Sequence, residues 1–434
     1  MSQVFGWGRF PQTEALVESP TSFAASRQFI SASPKLIARG LGRSYGDSSL
    51  ADIILDTRFL DCFLSFDEET GSLSCASGVT LEEILRVFMP RGWFLPVTPG
   101  TRHVTIGGAI ASDIHGKNHH IEGTFTEHIE SIDMLLGNGE RICASPTEHS
   151  DLFHATCGGM GLTGVILSAK LRLKPIRSSS INLTTIRVPD LHSALAAFDE
   201  NASSTYSVAW IDCLARDKHL GRSVVMLGEH ADDGLLALKQ EPLIPLPPRL
   251  PPNLVNQYSV KAFNTLYYGK APSTPTTQCI GHEPFFFPLD KVIGWNRLYG
   301  SKGFLQYQLV IPSAVGLPGI ATILEHIAAS GRGSFLAVLK RLGKANQNHL
   351  SFPMDGYTLA LDFNADPVVF SMLEKLDRLV HDYGGRLYLA KDARMSEAMF
   401  KATYSRWEEF QGIREKYHAL GKFSSLQSQR LGLL

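Results

Sequence analysis

Apolar and polar positions alternate in short runs along most of this chain, and helical periods interrupt them at intervals. Val165 to Pro175 places Leu167, Ala169, Leu171 and Leu173 on one face, the two-residue period of a strand. Ile129 to Leu136 alternates likewise, and Gly137-Asn138-Gly139 turns it back. Leu36 to Arg39, Ile53 to Leu55 and Trp93 to Val97 also read as strands. Thr80-Leu-Glu-Glu83 is a capping box that opens a helix to about Met89.

Farther along, Gly303 to Ile311 predicts a strand with Gln306 and Gln308 on one face. Phe335 to Leu339 and Tyr357 to Phe363 predict two more strands, and Pro318 to Ser330 a helix. Ser371 to Tyr383 carries Leu373, Leu376, Val380 and Tyr383 on one side. It opens on Ser371 and Glu374 as a capping box and stops at Gly384-Gly385. Arg386 to Arg394 reads as a strand that ends in Lys391 and Asp392, followed by a helix containing Phe400, Tyr404, Trp407 and Phe410. This part of the chain reads as antiparallel sheet plus helices, an α+β domain.

Three glycine-rich segments break the pattern, each beside a strand: Gly40 to Asp47, Pro99 to Phe125 and Cys157 to Gly164. The first departs from the dinucleotide fingerprint, with Tyr45 at its third glycine, and no helix follows it, so a Rossmann site is rejected. The plain alternative is a hairpin loop; the functional one is a nest of N–H groups for phosphate. The second segment joins Gly107, Gly108, Ala109, Ala111 and Ser112 to Asp113, His115, Lys117, Asn118, His119 and His120. Glycines allow close backbone approach with N–H groups turned to a ligand, and the polar cluster adds a titratable imidazole. Three such loops suggest a long ligand such as a dinucleotide, with the second segment as a wall of its site.

The 434 residues suffice for two domains, with hydrophobic residues at 44% and charged residues at 19%, as in globular proteins. A net charge of −1 argues against nucleic-acid binding. The six cysteines are scattered and form no C-x-x-C pair. No apolar run approaches the roughly 18 residues of a membrane span, and the N-terminus lacks a signal-peptide pattern. Glu241 to Asn253 is proline-rich and apolar, which predicts an extended, mobile loop: a spacer, a lid or a lipid-facing flap.

In order, the chain carries GLGRSYGD (40–47), PGTR and TIGGAI with SDIHGKNHH (99–120), GLTG (161–164), WNR and YG (295–300), GFLQYQ (303–308), LSFP (350–353) and GGRLY with AKD (384–392). Together these blocks resemble the decaprenylphosphoryl-β-D-ribose 2′-oxidase family, flavin subunits of a 2′-epimerase within the vanillyl-alcohol oxidase superfamily. The resemblance spans nearly the whole chain. It implies an α+β fold: a PCMH-type, two-subdomain FAD-binding domain (1–178, completed by 386–434), and an antiparallel-sheet substrate domain with flanking helices (179–385), its mobile loop near 241–256.

It further implies FAD held by Ala38, Arg39, Gly40, Leu41, Gly42, Arg43, Ser44, Tyr45, Gly46, Asp47, Ser48, Gly100, Thr105, Ile106, Gly107, Gly108, Ser112, Asp113, Ile114, His115, Ile166 and Tyr388. Arg43 stands where covalent relatives carry a flavin-bonding histidine, so non-covalent FAD is expected. Trp210, Gln306, Gln308, Lys340 and Lys391 would bind substrate, with Lys391, His115 and Tyr45 catalytic. Three positions depart from the family pattern: Ala360 replaces a cysteine, Thr358 an asparagine and Phe286 a tyrosine.

The implied reaction oxidises the C2 hydroxyl of a polyprenylphosphoryl pentose. An NADH-dependent short-chain reductase partner and a quinone or other acceptor would complete the cycle, in the cytoplasm and peripherally at the inner membrane. A free-sugar alditol or aldonolactone oxidase and a non-catalytic flavin scaffold are the rival readings. Lys391 alone could be a snorkelling surface lysine; in this setting it would stabilise the reduced flavin or hold the substrate hydroxyl. His115 and His119 stand four apart, but Gly116 disfavours a helix between them. No carboxylate or cysteine has ligand spacing, so no metal is expected. Gln306 and Gln308 could be buried strand amides or could meet sugar hydroxyls.

Overall fold

The computed structural model describes residues 1–237, 242–247 and 255–434. Its N-terminal part holds two small sheets and the two-stranded pair Trp93–Phe94 with Lys174–Pro175. One orders Ser2–Phe5, Gln12–Glu18, Ile53–Asp56 and Ile37–Arg39; the other orders Phe63–Asp67, Ser72–Ala76, Val165–Arg172, Ile129–Leu135 and Arg141–Ala144. Ile37–Arg39 pairs parallel with Ile53–Asp56, so the first glycine loop is a crossover and not a hairpin turn. Strands running the same way cannot be joined by a tight turn, and the loop is therefore free to spread over a ligand.

The larger sheet is antiparallel throughout. Its order is Thr276–Gly281, Ser180–Val188, Ser223–His230, Tyr206–Ile211, Ala337–Leu342, Gly356–Asn364, Phe304–Pro312 and Arg386–Leu387. Helices Leu191–Glu200, Gly316–Ser330 and Pro367–Asp382 supply Leu195, Ile323 and Leu376 to a core shared with Leu309, Leu339, Leu359 and Leu361 of the sheet. Alternate residues of those strands point the other way. Trp210 faces Val338, Val338 faces Ala360, and Ala360 faces Gln308 across four neighbouring strands. Gln306 faces Asp362, and Lys340 faces Thr358. The two-residue period thus sends leucines to the helices and these residues to the opposite face.

Several elements differ from the sequence pattern. The helix expected at Ser371 begins at Pro367, because Asp366 accepts from the Val369 N–H and proline fits the first turn; Ser371 lies inside it. Trp93 to Val97 yields only the strand Trp93–Phe94, and Phe335 to Leu339 shifts to Ala337–Leu342. The strand from Arg386 stops at Leu387, and the Lys391 N–H turns back to the Tyr388 carbonyl at 3.0 Å. The aromatic helix splits into Glu397–Thr403 and Trp407–Lys416. Tyr404 lies between them and donates its hydroxyl to the Leu387 carbonyl at 2.6 Å.

Arg386–Leu387 is bonded into the large sheet, while Phe423 bridges to Leu36 and Arg430 pairs with Asp47 in the N-terminal part. Of the proline-rich stretch, 242–247 is extended, and Ile244–Pro245 pairs parallel with Val292–Ile293. Residues 238–241 and 248–254, on which the expectation of a mobile loop largely falls, lie outside the described residues. No helix among the described residues is long and apolar enough to cross a membrane.

Candidate active site

The three glycine loops and the open face of the large sheet enclose one cavity of about 1180 Å³. That exceeds the ~300–1,000 Å³ of ordinary small-molecule sites, so it has room for a dinucleotide and a second ligand. The five successive N–H groups of Gly40 to Ser44 donate to no acceptor among the described residues. Five free donors in a loop on the cavity wall form an anion-binding concavity. A side chain at Gly40 would collide with the Thr105 hydroxyl, so the loop lies tight against the second glycine segment.

That segment contains a short helix, Ile106–Ala111, where the sequence pattern gave none. Thr105 caps it by accepting from the Gly108 N–H at 3.2 Å, and the Gly107 N–H donates to the Ser77 carbonyl at 2.8 Å. The glycine pair therefore does not present N–H groups to a ligand, as its composition suggests. It allows close approach instead: a Cβ at Gly107 would stand 3.1 Å from that of Ser77.

Of the residues assigned to FAD by resemblance, Ala38 to Tyr45, Ser48, Gly100, Thr105, Gly107, Gly108, Ser112, Ile114, His115, Ile166 and Tyr388 line the cavity. Gly46, Asp47, Ile106 and Asp113 do not, and each has a structural task. A side chain at Gly46 would strike the Asp392 carbonyl. Asp47 pairs with Arg430 at 2.7 Å. Ile106 is buried in the core beside the five-stranded sheet. Asp113 accepts from Thr126, Asn346, Asn348 and Ser351 at 2.6 to 2.9 Å.

All five expected substrate residues line the same cavity. Gln308 Nε2 approaches His115 Nε2 at 3.0 Å and donates to Thr358 Oγ1 at 3.2 Å, so Thr358 orients Gln308 from behind the wall. Trp210 Nε1 donates to the Phe335 carbonyl at 3.1 Å. Ala360 and Phe286 face the cavity. His119 Nδ1 accepts from the Gly343 N–H at 2.9 Å, and His120 Nε2 meets the Ser204 carbonyl at 2.9 Å, so the three imidazoles have separate partners.

Charge in the cavity is unusual. Lys117, Lys340 and Lys391 all line it. Burial pushes Lys391 down to about 7, against the pull of Asp362. Burial and the nearby Lys340 push Lys117 to about 7, and burial brings Lys340 to about 8. Asp362 is raised to about 7 by burial; it accepts from Gln306 Nε2 at 2.7 Å. His115 is held well below its ordinary value by burial, then by Lys340, His119 and Lys391, so its ring is neutral near pH 7. Lys391 Nζ lies 4.1 Å from the Tyr45 ring centroid. His115 Nδ1, Asp362 Oδ2 and Ser77 Oγ are buried without a protein partner.

Asp362 and Ser77 are absent from the residues the sequence singles out, and Lys117 appears there only as one of a polar cluster, with no role of its own. Asp362 could have been found by carrying the alternation of Tyr357–Phe363 two residues past Ala360. Lys117 stands inside the quoted IHGKNHH block. Ser77 gives no local signal.

Residues 11–145 match the family model described as FAD binding domain. Along its whole length the chain is 37% identical to decaprenylphosphoryl-β-D-ribose oxidase of Mycolicibacterium smegmatis, covering 98% of that protein. The chain belongs to the decaprenylphosphoryl-β-D-ribose oxidase family. An uncharacterized Streptomyces coelicolor protein is 32% identical over 82% of this chain and all of its own length. Human delta(24)-sterol reductase is 29% identical over 99 residues, 23% of this chain and 19% of that protein. As a member of this family the chain is an FAD-dependent oxidoreductase with an α+β fold. Its free donors at Gly40 to Ser44 and the unpartnered Ser77 Oγ and His115 Nδ1 suit such a cofactor.

Proposed function

We propose that the protein oxidises the C2 hydroxyl of a polyprenylphosphoryl pentose, of the decaprenylphosphoryl-β-D-ribose type, to the 2-keto sugar. The observation that carries this reading is the proximity of Lys117 and Lys340. Lys340 lowers the affinity of Lys117 for protons, and no ion pair of either lysine occurs among the described residues. Two cations that repel each other beside an apolar wall fit a phosphate with a hydrocarbon attached.

FAD, bound without a covalent link, would supply the two-electron acceptor for the hydride that leaves C2. Gly40 to Ser44 hold its phosphates. Gln306 and Gln308 meet sugar hydroxyls, and Trp210 covers them. Lys391, able to lose its proton near pH 7, binds the C2 hydroxyl and takes its proton as the C=O bond forms. The resulting ammonium would offset negative charge on a reduced cofactor, and Tyr45 fixes the lysine through its ring. A quinone or another acceptor removes the electrons, and an NADH-dependent short-chain reductase reduces the ketone to complete an epimerisation. The N-terminal 178 residues, completed by the C-terminal segment, hold the cofactor, and 179–385 hold the substrate.

An anaerobic titration tests this. Polyprenylphosphoryl ribose should abolish the oxidised flavin absorbance of the purified protein. Bleaching by free alditols instead would point to a free-sugar oxidase, and bound FAD that no polyol or lipid-linked sugar reduces would point to a scaffold.

A further inference from the structure

Helix Gln257–Lys270 is 14 residues long, and only Val260 and Asn264 among them are buried. Tyr258 is 77% and Leu266 73% exposed, with Phe263 at 39% and Tyr267 at 37%. A helix on a globular protein ordinarily turns its apolar stripe inward; this one presents aromatic and aliphatic side chains to solvent. Phe263 and Tyr267 also line the cavity, so the helix forms part of its rim. Beside the cavity runs the short parallel pair Ile244–Pro245 and Val292–Ile293. There Leu243 is 55%, Ile244 51% and Ile293 46% exposed, and Ile293 again lines the cavity.

The charge around this apolar rim has one dominant sign. The helix carries Lys261 and Lys270 and no acidic residue. From Val255 to Lys302 the only acids are Glu283 and Asp290, against Lys261, Lys270, Lys291, Arg297 and Lys302. Glu283 is already paired with Arg102, and Asp290 accepts from the Arg102 N–H at 2.8 Å. Arg187 and Arg222 lie over the Tyr268 ring on the same helix. Exposed Tyr, Phe and Leu with lysines and no carboxylate are the composition of a helix that lies in a membrane interface.

We propose that this rim, helix Gln257–Lys270 together with Leu243, Ile244 and Ile293, docks on an anionic bilayer surface with the cavity mouth facing the lipid. The assignment rests on the lipid-linked substrate proposed above: a substrate whose tail stays in the bilayer needs a mouth that opens there. Basic residues meet the anionic headgroups, and the apolar side chains enter the headgroup–acyl boundary.

The test is co-flotation of the full-length holoprotein with vesicles of equal parts phosphatidylcholine and phosphatidylglycerol, and with phosphatidylcholine alone. Binding to the anionic vesicles, weakened by salt, is expected. The double variant Tyr258→Asp/Leu266→Asp, whose side chains do not line the cavity, should bind about tenfold more weakly. It should keep its FAD content and its oxidation of a short-chain polyprenylphosphoryl ribose in detergent. Should that variant fold poorly, Lys261→Glu/Lys270→Glu gives a second reading of the same surface.

Wild-type protein that ignores anionic vesicles would overturn the proposal. So would vesicle binding that both variants retain, or a rim that captures a reductase protein and no lipid. If vesicle binding behaves as expected while polyprenylphosphoryl ribose never reduces the flavin, the substrate reading fails and the docking surface stands.

Discussion

Lys117→Met separates what the cavity does for binding from what it costs the fold. The Lys117 ammonium donates to the Phe285 carbonyl and lies 4.2 Å from the Phe285 ring centroid. It has no carboxylate partner, and burial with Lys340 brings it from 10.5 to about 7. At ~1.36 kcal/mol per pH unit that gap amounts to roughly 5 kcal/mol. The sign follows from the lowered value. Below about pH 7 both folded and unfolded chains carry the proton, and the folded chain bears the full penalty. Between about 7 and 10.5 the folded chain releases its proton first, so the penalty shrinks by ~1.4 kcal/mol per pH unit and vanishes above that range.

Methionine keeps the length without the charge. It forfeits the bond to the Phe285 carbonyl and the ring contact, together about 2 kcal/mol. The variant should therefore be more stable than the parent by ~3 kcal/mol near pH 6, with the advantage gone or reversed near pH 10. Urea melts of both proteins, saturated with FAD and run across that range, measure the difference directly; Lys340 and Lys391 are common to both and cancel to first order. A difference that stays constant with pH would refute the reasoning. In the same variant KM for polyprenylphosphoryl ribose should rise about tenfold, equivalent to ~1.4 kcal/mol of lost phosphate binding.

Gly40→Ala should push the Thr105 side chain aside, displacing the cap of Ile106–Ala111; an FAD titration should show affinity at least ~10-fold weaker, about 1.4 kcal/mol. Lys391→Ala should retain FAD yet lose at least ~100-fold in kcat, the usual scale for a displaced proton acceptor; unchanged turnover would remove the lysine from the chemistry. Arg430→Met should leave Asp47 and Asp392 buried without their shared cation, destabilising the protein by ~3–5 kcal/mol in denaturant melts. Acid denaturation of the wild type followed by filtration should leave all flavin in the filtrate, since Arg43, which stands over the Trp7 ring at 4.3 Å, offers no imidazole to bond a flavin; flavin retained on the polypeptide would contradict non-covalent binding.

By itself the sequence marked four of the eight strands of the large sheet and which of their residues share a face; Ser180–Val188, Tyr206–Ile211, Ser223–His230 and Thr276–Gly281 it left unassigned. Alternation is local, and Gln306 with Gln308 cannot be separated by any packing that keeps the strand. It also marked the glycine loops as places where backbone comes close to something, because only glycine tolerates that approach. The resemblance of its motifs supplied the cofactor.

Which backbone donors meet a ligand was decided by tertiary structure alone. Gly107 and Gly108 spend their N–H groups on Ser77 and Thr105, while Gly40 to Ser44 keep theirs because a parallel partner holds their loop open. Asp47 and Asp113 sit within binding motifs yet serve the fold, because their partners, Arg430 and Asn346 to Ser351, come from distant segments. The proton affinities of Lys117, Lys340, Lys391 and Asp362 are set by burial and mutual approach. Neither exists until strands far apart in sequence share one cavity wall, since the electrostatics depends on distance through space and sequence records only distance along the chain.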